Sequence, residues 1–346
     1  RETSGHYRGI GVVFARPVEE ARVLFAAPGS PAYRAGIDVG DRFLEIDGRP
    51  LESLDAAEIH RLLAESDQDT VELLVRSREG AERRVTLERS DLVDPTVRHA
   101  ELIDPELGLG YLAITGFSQE TPNEFDAAIR RLKSEGLQGL VVDVRGNLGG
   151  VLRSAVTLVN RFVPEGLIVS QAGRGTPVRY EADPQEAVHV GLPLTVLVDG
   201  ESASASEVFA AALQEYRAAV VVGSPTFGKG MVQQVRVFGE EAAVKLTTAY
   251  YYTPSGRNIE RSVEAAWETG VVPDVEVPLS ELERARVRRY LASYSPPPEA
   301  LALIEAWEAE EGRELLTPRP PDAQLDAALA LFRGERPGTH LSEAGR

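Results

Sequence analysis

The stretch LTVLVDGESASASE, residues 194–207, indicates both the fold class and the chemistry of this chain. Four of its first five residues are apolar, as in a strand that is buried on both faces of a sheet. Small residues follow, and the pattern from Ala205 onward predicts a helix. Small residues at such a corner let a substrate approach the backbone, and the N–H groups at the helix start suit a developing oxyanion. The serines also fit a plain helix N-cap, so this turn alone leaves both interpretations open.

A lysine between two glycines supplies a second signal. Lys229 lies in the segment TFGKG, residues 226–230, and follows Ser204 by 25 residues. Lysine in water has a pKa of about 10.4 and is charged, but burial disfavours the charged form. A buried lysine can therefore serve as the general base for a serine nucleophile. Residues 223–229 also fit part of a phosphate-binding P-loop, but Gly230 stands where that motif needs Ser or Thr.

Strand and helix patterns alternate through the middle of the chain, which indicates an α/β fold with a layered core. The front of the chain instead shows short strands and glycine turns, and residues 91–107 read as a charged link. The end of the chain predicts charged helices, whose first part, residues 280–318, we interpret as a solvated hairpin or an oligomer contact. We expect four parts: a tail or truncated segment 1–8, a small domain 9–90, a core 91–278 and a helical segment 279–346.

Composition excludes several classes of function. The 346 residues carry a net charge of −17, which argues against nucleic acid or an anionic membrane as a partner. There is no cysteine, so disulfides, thiol nucleophiles and Cys-based zinc sites are excluded. A chain without cysteine is also compatible with an oxidising compartment. The five histidines form no helical zinc pair, and we expect no metal. No apolar run reaches the ~20 residues that span a bilayer. No signal peptide is visible, and we interpret the sequence as a fragment trimmed of its targeting segment.

The serine and lysine segments together resemble those of the C-terminal processing peptidases, the tail-specific proteases. The matching segments are SASASEVFA, residues 202–210, and GSPTFGKGMVQ, residues 223–233. The resemblance implies that Ser204 is the nucleophile, that Lys229 is the general base and that Gln233 helps to position the lysine. It also implies a PDZ domain, a crotonase/ClpP-like layered α/β protease core and no cofactor.

A glycine turn in the core extends this resemblance. The segment DVRGNLGG, residues 143–150, matches the D-x-R-x-N-x-G-G turn of the family. The resemblance implies that the N–H of Gly149 or Gly150 pairs with the N–H of Ala205 as an oxyanion hole. Paired glycines agree with this role, because they let the backbone approach a ligand closely.

Glycine patterns in residues 9–48 resemble a PDZ domain of the bacterial protease type. Such domains bind a peptide as an added strand and hold its terminal carboxylate with backbone N–H groups. The resemblance implies that the N–H groups of Ile10, Gly11 and Val12 bind the carboxylate. It also implies that Ile59 and Leu63, on the facing helix, line the peptide pocket. An arginine that many relatives carry after this helix is missing from residues 64–70, and Arg61 is a candidate to replace it.

We therefore expect a serine endopeptidase that cleaves proteins near their C-termini and captures substrate tails with its PDZ domain. The expected partners are proteins or peptides with free C-termini, a homo-oligomer is possible, and the expected location is extracytoplasmic, in the periplasm or cell envelope. The alternative is a catalytically inactive PDZ scaffold or regulatory binding protein. A crotonase-like acyl-transfer enzyme would need a nucleotide-binding surface, and the sequence shows no basic cluster for one.

Overall fold

The computed structural model describes residues 5–64, 67–238, 242–261 and 270–335. The chain forms two compact units. Of the described residues, unit 1 contains Gly5–Asp94 and Ser293–Arg319, and unit 2 contains Pro95–Ala292 and residues 320–335.

The first part of unit 1 consists of short strands and two helices. They are β1 (His6–Gly9), β2 (Val12–Phe14), β3 (Val23–Ala26), α1 (Pro31–Arg34), β4 (Arg42–Ile46), β5 (Arg49–Pro50), α2 (Ala56–Ala64), β6 (Thr70–Arg76), β7 (Glu82–Glu88) and β8 (Ser90–Val93). Strands β5, β4, β6 and β7 form one antiparallel sheet in that order, β2 pairs with β3, and β1 pairs with β8. Their core includes Phe43, Ile46 and Leu73, which are all buried.

Unit 2 begins with an alternation of strands and helices. Its elements before residue 293 are β9 (Val97–Asp104), β10 (Leu109–Ile114), α3 (Thr121–Ser134), β11 (Gly139–Asp143), α4 (Leu152–Asn160), β12 (Leu167–Gly173), β13 (Val178–Glu181), β14 (Leu194–Val198), α5 (Ala205–Glu215), β15 (Val220–Gly223), β16 (Met231–Phe238), β17 (Ala242–Tyr252), β18 (Val275–Glu276) and α6 (Glu281–Leu291). The last two helices among the described residues are α7 (Pro298–Glu311), in unit 1, and α8 (Ala323–Phe332), in unit 2.

A six-stranded sheet forms the centre of unit 2, in the order β18-β15-β14-β11-β10-β9. All neighbours in it are parallel except the edge strand β9, which runs antiparallel to β10. A second, antiparallel sheet has the order β13-β12-β17-β16. Helices α3, α4 and α5 cover one face of the central sheet, and α6 and α8 cover the other. Every residue of β11 and β14 is buried, as expected for central parallel strands.

The prediction of a link at residues 91–107 is wrong, because most of β8 and all of β9 lie in this range. The charged residues of β9 are typical of a link, but they are also common on edge strands, where charge discourages pairing with another chain. Charged and apolar residues can therefore occur together in such a strand. Val97, Ala100 and Leu102 are the partly buried residues that pack against the core.

The segment predicted as a solvated helical hairpin also differs from the structure. Helix α6 packs on the central sheet of unit 2 through Val287 and Leu291. Helix α7 buries Ile304 and Trp307 against a face of unit 1 that includes Phe25. The high charge of both helices belongs to their exposed sides, and each has an apolar side that the structure covers.

Candidate active site

Ser204 stands at the corner between β14 and α5. It is half-buried and has a φ of 58° and a ψ of −114°. This positive φ is costly for a residue other than glycine, and such strain is characteristic of functional turns. The corner follows the fully buried strand β14, so the serine lies at the carboxyl end of the central sheet.

The buried carboxylate of Glu207 connects the turn of Ser204 to the turn of Lys229. One oxygen accepts the N–H of Ser204 and the N–H of Lys229, both at 2.8 Å. The other accepts the Thr226 hydroxyl and the N–H of Gly228, both at 2.6 Å. Burial raises the pKa of Glu207, while these four hydrogen bonds act to lower it. The glutamate thus orders both turns at once.

Asn147 holds the glycine turn against the serine turn. Its backbone carbonyl accepts the N–H of Ala203 at 3.0 Å and the Ser206 hydroxyl at 2.9 Å. Its side-chain oxygen accepts the N–H of Gly149 at 2.9 Å, and its amide donates to the carbonyl of Ile114 at 2.8 Å. An added Cβ at Gly149 would lie 2.9 Å from the Cβ of Ser204, so only glycine allows this approach.

Two backbone N–H groups near Ser204 are available to a ligand. In the part of the chain that the structure describes, neither Ala205 nor Gly150 donates its N–H to another group. The N–H of Gly149 is already bound by the side chain of Asn147. The role of these groups as an oxyanion hole stays a prediction, and the geometry favours Gly150 over Gly149 as the partner of Ala205.

Lys229 is half-buried in a turn whose shape depends on glycine. Gly228 has a φ of 81°, and a Cβ at Gly230 would come within 2.5 Å of a backbone nitrogen. The strand β16 follows this turn, whereas a P-loop requires a helix. Across the described ranges, the lysine side chain makes no hydrogen bond to Ser204 or to Gln233, the half-buried residue at the start of β16. Its roles and that of Gln233 stay predictions.

Tyr251 of β17 is a buried tyrosine near Ser204. The residue is 9% exposed, and the Ser204 side chain is close enough to affect the pKa of its phenol. Its backbone N–H donates to the carbonyl of Gly230 at 2.7 Å, next to Lys229. Burial raises the pKa of Tyr251 and the nearby Tyr180 adds to this, while the nearby Ser204 side chain acts to lower it.

In unit 1, the predicted carboxylate-binding loop has unused donors. Within the described residues, the N–H groups of Ile10 and Gly11 donate no hydrogen bond, whereas Val12 belongs to β2. Gly11 has a φ of 78°, and an added Cβ would lie 2.3 Å from the Ser30 side chain. The side chains of Ile59 and Leu63 are in the core, at 1% and 7% exposure, and their place in a peptide pocket stays a prediction.

Arg89 is a buried arginine whose side chain lies against the end of α2, and the role suggested for Arg61 stays a prediction. The Arg89 guanidinium donates to the carbonyls of Leu62 at 2.6 Å and Gln68 at 2.8 Å, and Arg61 is exposed. Burial lowers the pKa of Arg89. Arg89 lies 26 residues beyond Leu63, between β7 and β8, and so lies outside residues 64–70, where the missing arginine was expected.

Glu207 and Tyr251 were not among the predicted site residues. Glu207 has a recognisable signal, since a glutamate three residues after a capping serine predicts a capping box. Tyr251 has no such signal, because β17 brings it to Ser204 from 47 residues further along the chain. Among the described helices, none has the length and apolar character needed to cross a membrane.

Comparison with known proteins identifies the families. Peptidase family S41 matches residues 108–277, and a PDZ domain matches residues 23–77. A carboxy-terminal-processing protease of Bartonella bacilliformis is 31% identical over 96% of this chain and 76% of its own length. The chloroplastic carboxyl-terminal-processing peptidase 2 of Arabidopsis thaliana is 33% identical over 80% of this chain, which spans only 55% of that relative.

A solved structure entitled photosystem II D1 C-terminal processing protease aligns with 84% of this chain and 77% of its own, at 29% identity and a TM-score of 0.46. The predicted fold class is confirmed: a PDZ domain with a layered α/β protease core and a helical C-terminal segment. The chain belongs to peptidase family S41, a family of serine-type hydrolases.

Proposed function

We propose that this chain is a serine endopeptidase that cleaves proteins near their C-termini with Ser204 and Lys229 as its catalytic pair. The observation that carries the proposal is the Glu207 carboxylate, which binds the backbone N–H groups of both residues. Because this buried carboxylate binds N–H groups of two turns, it fixes one turn relative to the other, which capping α5 alone would not require. The names of the curated relatives support the same substrate class.

In the proposed reaction, the oxygen of Ser204 attacks the scissile carbonyl while the Lys229 amine takes the serine proton. The carbonyl oxygen becomes negative and is bound by the N–H groups of Ala205 and Gly150. Lys229 then gives the proton to the leaving amine, and a water molecule releases the acyl group from Ser204. Proton transfer requires the Lys229 amine to be within hydrogen-bond reach of the Ser204 oxygen, directly or through one water molecule.

The PDZ domain is proposed to hold the substrate tail. The free N–H groups of Ile10 and Gly11 can bind the terminal carboxylate, and a peptide strand can add beside β2. This predicts that a disordered substrate with a free C-terminal carboxylate is cleaved faster than the same substrate with an amidated C-terminus.

The test is cleavage of that disordered substrate by the full chain. Ser204→Ala and Lys229→Ala are each expected to lower the rate roughly a thousandfold or more, because the pair acts as a unit. Ser134→Ala and Lys133→Ala are matched controls, since both residues are exposed at the end of α3. Full activity of the Lys229→Ala protein would exclude the pair, and a wild-type chain that binds tails without cleaving them would support the scaffold alternative.

The surroundings of the enzyme are also part of the proposal. We place it outside the cytoplasm, in the periplasm or cell envelope; a chain without cysteine needs no reducing environment. Fractionation of the native cells tests this location. A homo-oligomer remains a prediction that sedimentation would check.

A further inference from the structure

The turn that carries Lys229 has three consecutive backbone N–H groups that all bind carboxylates. The N–H groups of Gly228 and Lys229 donate to Glu207, at 2.6 and 2.8 Å. The N–H of Gly230 donates to a different residue, Glu260, at 2.6 Å. Successive N–H groups of a turn commonly bind an anion, and here the chain supplies its own carboxylates. The second of them, Glu260, has no part in the serine turn.

The backbone around Glu260 is fixed by contacts of its own. The N–H of Glu260 donates to the side-chain oxygen of Asn258 at 2.9 Å, and Asn258 pairs with the end of β17. The neighbouring Ile259 is 1% exposed and belongs to the core of unit 2. Arg261 then donates its N–H to the carbonyl of Gly228 at 2.8 Å. This segment therefore binds the lysine turn at a carbonyl as well as at an N–H, and it is itself anchored in the core.

The backbone of Gly230 is enclosed between this segment and β17. A Cβ added at Gly230 would lie 2.5 Å from the nitrogen of Glu260 and 2.9 Å from the side-chain oxygen of Asn258. The carbonyl of Gly230 accepts the N–H of Tyr251 at 2.7 Å. Gly230 is buried, so loss of the Glu260 carboxylate would leave its N–H without an acceptor, which costs free energy. The turn would then relax at the residue that follows Lys229.

We propose that Glu260 is a positioning residue: its carboxylate accepts the N–H of Gly230 and thereby fixes the backbone from which the Lys229 amine reaches Ser204. This inference rests on the proposed function, in which Lys229 is the base. Glu260 exchanges no proton in the reaction. Its role requires an oxygen at the correct reach from the backbone, and it does not require a negative charge.

The experiment compares the full chain with three changes at Glu260. Glu260→Gln keeps an oxygen at the same reach without the charge, Glu260→Asp keeps the charge on a shorter side chain, and Glu260→Ala removes the acceptor. We expect kcat for an internally quenched peptide to fall about 10-fold in the Ala protein, the effect of one lost hydrogen bond to a charged group. The Asp protein should also be slower than wild type, whereas the Gln protein should stay within about threefold of it.

Two further measurements separate positioning from folding. KM should stay within about twofold in all three proteins, because Glu260 binds the lysine turn and not the N–H groups proposed to bind the substrate. The reaction of Ser204 with a fluorophosphonate probe should slow in step with kcat, since it needs the same activated serine. All rates are measured at a temperature where circular dichroism shows each variant to be folded. Glu281→Ala is the control, because Glu281 is exposed in the first turn of α6, and its kcat should match wild type.

Several results would overturn the inference. A Glu260→Ala protein with wild-type kcat, or with a loss confined to KM, would exclude the positioning role. If the Ala protein does not fold, the other two decide: a slow Asp protein beside an active Gln protein supports the inference, and any other pair of results overturns it. If Ser204→Ala stays active, the proposed function fails; if it is inactive while Glu260→Ala is normal, only this inference fails.

Discussion

Glu207 connects parts of the chain that are distant in sequence. Its carboxylate accepts four hydrogen bonds, from Ser204 three residues before it and from Thr226, Gly228 and Lys229, 19 to 22 residues after it. Carboxylates that accept several N–H groups are usually favoured in the charged form, but here burial acts against this. The balance of these two effects has a measurable consequence.

The pKa of Glu207 predicts a pH dependence of stability. Because burial raises this pKa above its ordinary value of 4.5, the folded protein keeps the proton to a higher pH than the unfolded chain does. The contribution of Glu207 to the free energy of unfolding should therefore fall as the pH rises from 4.5 through the raised value. The melting temperatures of wild type and Glu207→Gln, measured across this range, should differ most at the acidic end.

The control for this measurement is Glu135→Gln, since Glu135 is exposed at the end of α3. Its difference from wild type should not follow the same course. A wild-type advantage over Glu207→Gln that grows with pH would contradict the prediction, and would mean that the four hydrogen bonds outweigh burial.

Individual elements show what sequence alone could predict. The strands β11 and β14 and the helices α3 and α5 follow from local patterns, because a buried apolar run or a helical stripe is complete within one segment. The edge strand β9 does not, because its pairing with β10 is absent from its own composition. Ser204 and Lys229 are in local motifs, but the position of Tyr251 near Ser204 depends on the pairing of distant strands, which no local pattern contains.

Helix α8 depends on a buried ion pair with the central sheet. The guanidinium of Arg145 is 2% exposed and lies between the carboxylates of Asp143 and Asp322, with nitrogen–oxygen distances of 2.6 Å to each. Asp322 also caps α8, since its side chain accepts the N–H groups of Gln324 and Leu325. One carboxylate thus begins the helix and neutralises a buried charge.

Loss of Asp322 should therefore cost far more than loss of an ordinary helix cap. We expect Asp322→Ala to lower the free energy of unfolding of unit 2 by about 3–5 kcal/mol, because Arg145 would keep a buried charge with one partner fewer. Urea unfolding followed by circular dichroism measures this loss. Asp326→Ala, an exposed change in the same helix, should stay within about 0.5 kcal/mol of wild type, and equal effects of the two changes would refute the prediction.

Between residues 5 and 335, the chain passes between its two units three times, at residues 94–95, 292–293 and 319–320. The stretch Ser293–Arg319 thus belongs to unit 1 although it follows the protease core in sequence. A sequence signal for this exists: Ala300, Ile304 and Trp307 recur at helical spacing and form one side of α7. The surrounding charge obscured it, because high charge is the expected mark of a solvated helix.

The packing of Trp307 predicts that α7 stabilises unit 1. The indole is 1% exposed, packs with Leu24 and Phe25, and has the guanidinium of Arg22 at 4.4 Å from its ring centre. Trp307→Ala should remove about 3–5 kcal/mol from the stability of unit 1. In hydrogen exchange followed by mass spectrometry, β3 and α7 should lose protection while β11 and β14 of unit 2 keep theirs. Leu303→Ala, at a position 44% exposed on the same helix, is the control, and equal loss of protection in both units would show that the effect is not local to unit 1.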